Sequence, residues 1–237
     1  MNFRPIASKR NFEEVADKIR QIIIDGSSEP GQRLPSEKEL ASQFQVGRQA
    51  VREGLRMLEV SGLVKVRKGS NGGIFVADLS TENITTSISN IIKLGNVSLK
   101  DVTEVRIELE KIILNYAIER MTGEDLEKLK DSIIRAKKRL SHGESPTKEN
   151  LEFHLILSRA TKNEMFHILM ESVIKIVSQF LFQLTPTLAQ SKKVLEDHRL
   201  FVELIEKGNF RQCKEEMENH LIGIEKRLSP LMRKKDQ

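Results

Sequence analysis

Three of the five histidines in this 237-residue chain fall on apolar stripes of three different helical patterns. A buried imidazole without a partner costs about 1–3 kcal/mol, so His154, His198 and His220 together favour a shared ligand. Asn150 precedes His154 by one helical turn, which places its amide oxygen on the same helix face. Three imidazole nitrogens and one amide oxygen suit a transition metal such as zinc or nickel. The alternative is three ordinary core histidines.

The other potential ligands are predicted to be ordinary. His142 lies in a predicted loop, and His167 lies off the apolar stripe of its helix. Cys213, the single cysteine, is predicted to be a small buried hydrophobic residue. One cysteine excludes an intrachain disulfide framework and fits a reducing compartment.

A second chemical group lies at the start of a predicted helix, where Arg48, Gln49 and Arg52 are close together. Arginine can donate two parallel hydrogen bonds to guanine, and glutamine can pair in the same way with adenine. The group therefore has the donors for reading DNA bases. For Arg52, a phosphate contact without sequence information is the alternative.

The charge pattern around this group is basic. The whole chain has a formal charge of +5 and a pI near 9.2. Between residues 38 and 68, seven bases meet only three acids, a pattern typical of surfaces that bind phosphates. A solvated charged face is the alternative. The seven bases are Lys38, Arg48, Arg52, Arg56, Lys65, Arg67 and Lys68.

The elements that position these bases form a recognisable order. Asn11 and Glu14 predict a capping box for a first helix that ends at Asp25, and Ser36 with Glu39 predicts a second box. Gly47 then allows a tight turn into the third helix. Two β-type runs follow, at 63–67 and 73–77, joined by a cationic, glycine-rich tip at 68–72. This order predicts a winged helix-turn-helix.

The rest of the chain has helical periodicity only. It predicts a mainly α protein, with a winged helix-turn-helix at 1–78 and an all-α bundle at 79–237. Thr122 with Asp125, and Asn163, mark helix starts. The predicted helices cover 81–94, 100–121, 123–141, 147–161, 163–184, 190–207 and 209–228.

The cellular location follows from what the sequence lacks. No stretch approaches the roughly 20 apolar residues that a membrane span requires, and the first residues have no apolar signal core. We therefore expect a cytoplasmic protein.

Several motifs of the first domain also match a known family. These are 34–37 (Leu-Pro-Ser-Glu), 46–48 (Val-Gly-Arg), 51–53 (Val-Arg-Glu) and the glycine-led wing strand at 72–76. Residues 11–76 thus resemble the DNA-binding domain of the GntR family of bacterial transcription regulators. The resemblance implies that Lys38, Arg48 and Arg52 contact DNA, and that the wing tip at Gly72 enters the minor groove. It also implies a dimer on a pseudo-palindromic operator.

The helical part resembles the FCD domain, which is the metal-carrying ligand-binding domain of the FadR-type branch. The matching pieces are 105–110, 150–154 and the stretch from Asp197 to the last histidine. The resemblance implies metal binding by Asn150, His154, His198 and His220, and an effector carboxylate bound by Arg106. The family commonly has aspartate at position 150, so asparagine leaves a more electropositive centre. A helix-surface ion pair with Glu110 is the alternative for Arg106.

Together these features predict a metabolite-responsive DNA-binding regulator, a repressor rather than an enzyme. One alternative is a metal-dependent hydrolase fused to a DNA-binding domain, for which Glu152 is the nearest candidate base. Another is a nonspecific nucleic-acid-binding protein. It is disfavoured because the chain has one tyrosine and no tryptophan on which bases could stack.

Overall fold

A computed structural model describes residues 10–69, 72–77, 82–94 and 97–232, and the chain divides into two compact units at Asn83. The architecture is mainly helical, with one small sheet, as predicted. The predicted domain boundary at Asp78 lies outside the described residues and stays a prediction.

The first unit has the predicted order of a winged helix-turn-helix. The Ser36 box opens α2: the Glu39 backbone N–H donates to Ser36 Oγ (3.3 Å), and the Ser36 N–H donates to the Glu39 carboxylate (2.7 Å). The box predicted at Asn11 is wrong by one residue, because the backbone N–H of Arg10 donates to Glu13 (3.0 Å). The elements are α1 (Asn11–Ile24), α2 (Glu37–Phe44), α3 (Arg48–Val60), β1 (Val64–Arg67) and β2 (Gly73–Val76).

A glycine lets α1 cross α3 at close range. A Cβ atom at Gly54 would lie 2.8 Å from the carbonyl oxygen of Phe12, so no larger residue fits there without a shift of the backbone. The crossing buries one face of each helix and leaves the start of α3 exposed. The core of the unit contains Val15, Ala16, Ile19, Leu40, Ala41, Val51, Leu55, Leu58, Val64 and Ile74.

The wing is an antiparallel hairpin in which Val64 pairs with Val76 and Arg67 pairs with Gly73. Gly72 sits where the chain folds back: a Cβ atom there would lie 2.5 Å from the carbonyl oxygen of Arg67. The guanidinium of Arg33 donates to the Gly72 carbonyl oxygen (2.9 Å) and holds this turn. Residues 70 and 71 of the predicted tip lie outside the described residues.

The second unit contains seven helices within the described residues, and their ends differ from the predicted ones by a few positions. The capping box of Thr122 with Asp125 and the cap at Asn163 are confirmed. The last predicted helix, 209–228, extends to Met232. The helices are α4 (Glu82–Lys93), α5 (Leu99–Arg120), α6 (Gly123–Ser141), α7 (Thr147–Ala160), α8 (Glu164–Leu181), α9 (Leu188–Glu206) and α10 (Phe210–Met232).

The packing of these helices brings four of them around one interior region. Helix α5 packs against α7, α8 and α10, while α9 packs against α6 and α10. Apolar side chains such as Phe153 and Phe201, both 0% exposed, fill the space beside this region. None of the described helices combines the length and the apolar character that a membrane crossing requires.

Candidate functional site

The three predicted histidines meet in the interior of the second unit, each from a different helix. His154 on α7, His198 on α9 and His220 on α10 are 3%, 1% and 6% exposed. Their ring centroids lie 5.1–5.5 Å apart, and one nitrogen of each ring lies within 4.8 Å of the others. These nitrogens can share one metal ion. We call the three histidines and Asn150 the histidine site.

A buried carboxylate sets the orientation of His154. The Nδ1 atom of His154 is hydrogen-bonded to Glu110, whose other carboxylate oxygen accepts from Arg106 Nε at 2.7 Å. Burial alone raises the pKa of Glu110, but the adjacent His154 and Arg106 outweigh burial and lower it to about 2. The ionised carboxylate is therefore the acceptor in its hydrogen bond with His154 Nδ1.

His220 is held in the same way. Its Nδ1 lies 3.0 Å from Asp197 Oδ2, and the second oxygen of Asp197 pairs with Lys193 Nζ at 2.8 Å. Burial lowers the pKa of His220 to about 4, although the hydrogen bond to Asp197 opposes this shift. The ring is thus neutral near pH 7, which is the form that binds metals. A carboxylate behind each ligating imidazole is a common arrangement in metal sites.

His198 occupies the most enclosed position of the three. Its ring stacks on Phe153 with centroids 4.1 Å apart and an interplanar angle of 11°. Burial, followed by the neighbouring His220 and His154, keeps its pKa well below the usual range. Its Nε2 atom is buried and has no hydrogen-bond partner among the described residues. A lone pair in that condition is available to a metal.

Asn150 supplies the second buried atom without a partner. Its Oδ1 is also buried and accepts no hydrogen bond within the described part of the chain. Leaving such a group unsatisfied costs about 1–3 kcal/mol. Two unsatisfied acceptor atoms beside two oriented imidazoles therefore fit a bound cation, and the donor set suits zinc or nickel.

The histidine site forms one wall of a cavity of about 410 Å³. All four of its residues line the cavity, and so does Arg106. The volume lies within the range of small-molecule sites in proteins. Further polar lining comes from Thr147, Thr185, Gln190, Ser191, Lys226 and Arg227.

Arg106 pairs with Glu110 and also lines the cavity. The ion pair with Glu110 forms, but both side chains are 3% exposed, so it is not the surface pair of the alternative. Pairing with Glu110 and facing the cavity are compatible, because Arg106 uses its Nε for the carboxylate. Its terminal nitrogens make no hydrogen bond to any described residue and remain available to a ligand.

Three residues of the site were missed: Glu110 as a partner of His154, Asp197 as a partner of His220, and Arg227 in the cavity lining. The local sequence could have indicated Asp197 and Arg227. Asp197 is adjacent to His198, and Arg227 follows His220 by seven residues, which returns to the same helix face. Glu110 is 44 residues from His154, so no local pattern joins them.

The remaining candidates lie apart from the cavity. Glu152, the candidate base of a hydrolase, pairs with Arg135 through two hydrogen bonds of 2.7 and 2.9 Å and does not line the cavity. His142 is exposed. Cys213 is buried in the core as predicted, and burial raises the pKa of its thiol to about 12. His167 is buried too, and its Nε2 accepts from Arg159 Nε at 3.1 Å.

The predicted DNA contacts form a different kind of surface. Lys38 on α2 and Arg48, Gln49 and Arg52 on α3 are all exposed, and we call these four residues the reading surface. Lys38 and Arg48 make no hydrogen bond or ion pair with any residue that the structure describes. Their charged groups are free to meet phosphates or base edges.

The other two residues of the reading surface have partners within the unit. Gln49 Nε2 donates to Glu53 at 2.9 Å, and Arg52 Nη2 donates to Glu37 at 2.8 Å. The hydrogen bond from Arg52 lowers the pKa of Glu37. The predicted contact of Arg52 with DNA therefore requires that this arginine leave or share the carboxylate.

Comparisons with known proteins agree with both units. Residues 11–76 match the model of the gntR family of bacterial regulatory proteins, and residues 101–223 match the FCD domain. LutR of Bacillus subtilis, an HTH-type transcriptional regulator, is 30% identical over 88% of this chain and 96% of its own. The Uxu operon transcriptional regulator of Escherichia coli is 31% identical over 94% and 88%. The solved structure of Streptococcus agalactiae GntR, at 23% identity, covers 90% of this chain and 98% of its own with a TM-score of 0.69.

A winged helix-turn-helix joined to a helical unit with a ligand cavity defines a class, the DNA-binding transcription regulators. The chain belongs to the GntR family of bacterial regulators and carries an FCD domain. Its family and relatives are regulators rather than enzymes.

Proposed function

We propose that this protein senses a small carboxylate at a metal ion in its FCD domain and thereby controls operator binding. In this proposal it represses transcription in the cytoplasm as a homodimer on a pseudo-palindromic operator. The observation that carries it is that two buried atoms, Asn150 Oδ1 and His198 Nε2, have no hydrogen-bond partner among the described residues and belong to side chains that line the same cavity as Arg106.

The residues of the cavity have separate roles in metal binding and in effector binding. Asn150, His154, His198 and His220 would hold the metal, which would supply a positive charge beside the effector carboxylate. Arg106 donates hydrogen bonds to the same carboxylate from its terminal nitrogens. The carboxylates behind His154 and His220 keep both rings in the tautomer that presents Nε2.

The output of the sensor is the reading surface. Arg48, Gln49 and Arg52 read base edges, Lys38 contacts phosphate, and the wing at Gly72 enters the minor groove. An effector can change the affinity for DNA only by binding one conformation of the protein more tightly than another. Coupling of this kind usually changes affinity by about 5–150-fold.

Operator affinity under controlled metal and acid content tests the proposal. An operator is selected from random duplexes, and its affinity is measured by fluorescence anisotropy for metal-free, zinc-loaded and nickel-loaded protein, with and without a panel of small carboxylic acids. We expect the combination of metal and one acid to change affinity by about fivefold or more. Equal affinity under every condition would overturn the sensor function.

Two comparisons complete this test. The variant His198→Ala should bind the operator but lose the response to acid. A salt titration on operator and random duplex separates specific from nonspecific binding, because a nonspecific binder shows no gap between them at any salt concentration.

A further inference from the structure

Arg227 is a second guanidinium in the lining of the cavity. It follows His220 by seven residues on α10, so both side chains lie on the same helix face. It also lines an adjoining cavity of about 400 Å³, together with Asp197 and His220. Arg227 thus stands where the two cavities share a wall.

The charge of Arg227 has no partner in the described part of the structure. The side chain is half-buried and makes no hydrogen bond or ion pair with any described residue. Burial, followed by the nearby Arg106, lowers the pKa of Arg227. An arginine in such a place is costly unless an anion meets it.

Arg106, the other guanidinium of the cavity, differs from Arg227 because its charge is already balanced within the protein. Arg106 already has the carboxylate of Glu110, so its charge is balanced before any ligand enters. Asp197 lines the adjoining cavity and attracts the charge of Arg227, but its oxygens are paired with His220 and Lys193. The cavity therefore has one balanced and one unbalanced guanidinium, in addition to the charge of the metal.

We propose that Arg227 binds a second anionic group of the effector, so that the cavity selects an acid with two anionic ends over its monocarboxylate counterpart. This inference rests on the proposed function, because the first carboxylate is the one at the metal and Arg106. Thr147, Thr185 and Ser191 also line the cavity, and their hydroxyl groups suit a hydroxylated chain.

A matched series of acids tests the inference on the zinc-loaded full-length protein. Gluconate, glucarate and 6-phosphogluconate share a six-carbon chain and carry a hydroxyl, a carboxylate or a phosphate at the far end. Hexanoate and adipate repeat the comparison without hydroxyl groups. Dissociation constants are measured by calorimetry for the wild type and for Arg227→Gln, Arg227→Lys and Arg211→Gln.

Arg211→Gln is the matched control, because it removes the same charge from the start of the same helix at a side chain that is 92% exposed and outside both cavities. Zinc binding by each variant shows that the site has folded.

The inference predicts that at least one two-ended acid binds the wild type 10-fold or more tightly than its one-ended partner. This gap should vanish in Arg227→Gln and persist in Arg227→Lys and Arg211→Gln, while one-ended acids bind all four proteins alike. The better of glucarate and 6-phosphogluconate identifies the second group as carboxylate or phosphate.

Two other results overturn the inference in distinguishable ways. If one-ended acids bind as tightly as two-ended acids, or if the gap survives in Arg227→Gln, the inference fails and the proposed function stands. If no acid of either kind binds the zinc-loaded protein, the proposed function fails as well.

Discussion

The polar groups of the reading surface are exposed to solvent, whereas those of the histidine site are buried. At the reading surface, Lys38 and Arg48 are exposed and stay hydrated without DNA. At the histidine site, Asn150 and His198 keep buried acceptor atoms without a partner among the described residues. An exposed charge costs little when unused, whereas a buried unsatisfied atom costs about 1–3 kcal/mol. The described residues thus leave buried polar atoms unsatisfied at the histidine site but not at the reading surface.

The two regions also differ in how their residues are held. Arg52 rests on Glu37 in an exposed ion pair, which is worth about 0–1 kcal/mol and can exchange for DNA. Arg106, Glu110 and His154 form a buried chain of hydrogen bonds, which is rigid and costly to break. The first arrangement suits a surface that exchanges partners, and the second suits a site with fixed geometry.

Removal of a proposed metal ligand should have the largest effect on the histidine site. His198→Ala should weaken zinc binding by at least about 100-fold, since changes in groups behind the ligands already cost about 10–100-fold. Elemental analysis after dialysis measures the loss. His142→Ala is the control, because that ring is exposed and outside the cavity. Stoichiometric zinc in His198→Ala would remove His198 from the site.

A smaller change tests the carboxylate behind His154. Glu110→Gln should reduce zinc affinity by about 10–100-fold, because the amide no longer fixes the ring tautomer with a negative charge. Competition with a zinc-binding dye measures the affinity after circular dichroism has shown native helix content. Glu152→Gln makes the same chemical change at a surface pair with Arg135 and should leave zinc affinity unaltered. Equal losses in both variants would show that Glu110 has no special role.

On the reading surface, Arg48→Ala should cost about 1–3 kcal/mol in operator binding and relax the preference at one base pair of each half-site. Anisotropy titrations on the operator, single-base variants and random duplex measure both effects. Arg20→Ala on α1 is the control, since Arg20 pairs with Asp17 and is not a predicted contact. If random DNA weakens by the same factor, Arg48 contacts only phosphate.

The smallest expected effect concerns the partner of Arg52. Glu37→Gln should strengthen binding to operator and random duplex alike by roughly two- to fivefold, because an exposed ion pair of about 0–1 kcal/mol no longer competes with DNA. The same anisotropy assay detects it, with Glu29→Gln as the control for loss of one negative charge. Weaker binding of Glu37→Gln would mean that Glu37 positions Arg52 for DNA.

Local sequence signals predicted the elements well. Helix caps form between residues that are at most three positions apart, so a local sequence pattern is enough to predict them. The capping box of Ser36 with Glu39 and the cap at Asn163 are examples. The error at Asn11 has a local cause: the carboxylate of Glu13 accepts a hydrogen bond from the backbone N–H of Arg10, which every residue type except proline provides. Helical periodicity also predicted that His154, His198 and His220 would be buried.

Contacts between distant helices could not be predicted in the same way. The sequence pattern indicates Glu110 only as a surface partner of Arg106 on the same helix, because the packing of α5 against α7 that buries Glu110 is a tertiary event. The place of Arg227 in the cavity depends likewise on where α10 lies relative to α9. The sequence therefore predicts candidate ligands, while the residues that orient them and complete the cavity require the fold.

X-ray absorption at the zinc edge of the loaded protein tests whether the buried unpaired atoms of the histidine site are metal ligands. We expect a shell of nitrogen and oxygen atoms at about 2.0–2.1 Å, with the scattering pattern of three imidazoles. A sulfur atom at about 2.3 Å, which only a cysteine or methionine could provide, or fewer than three imidazoles would contradict it.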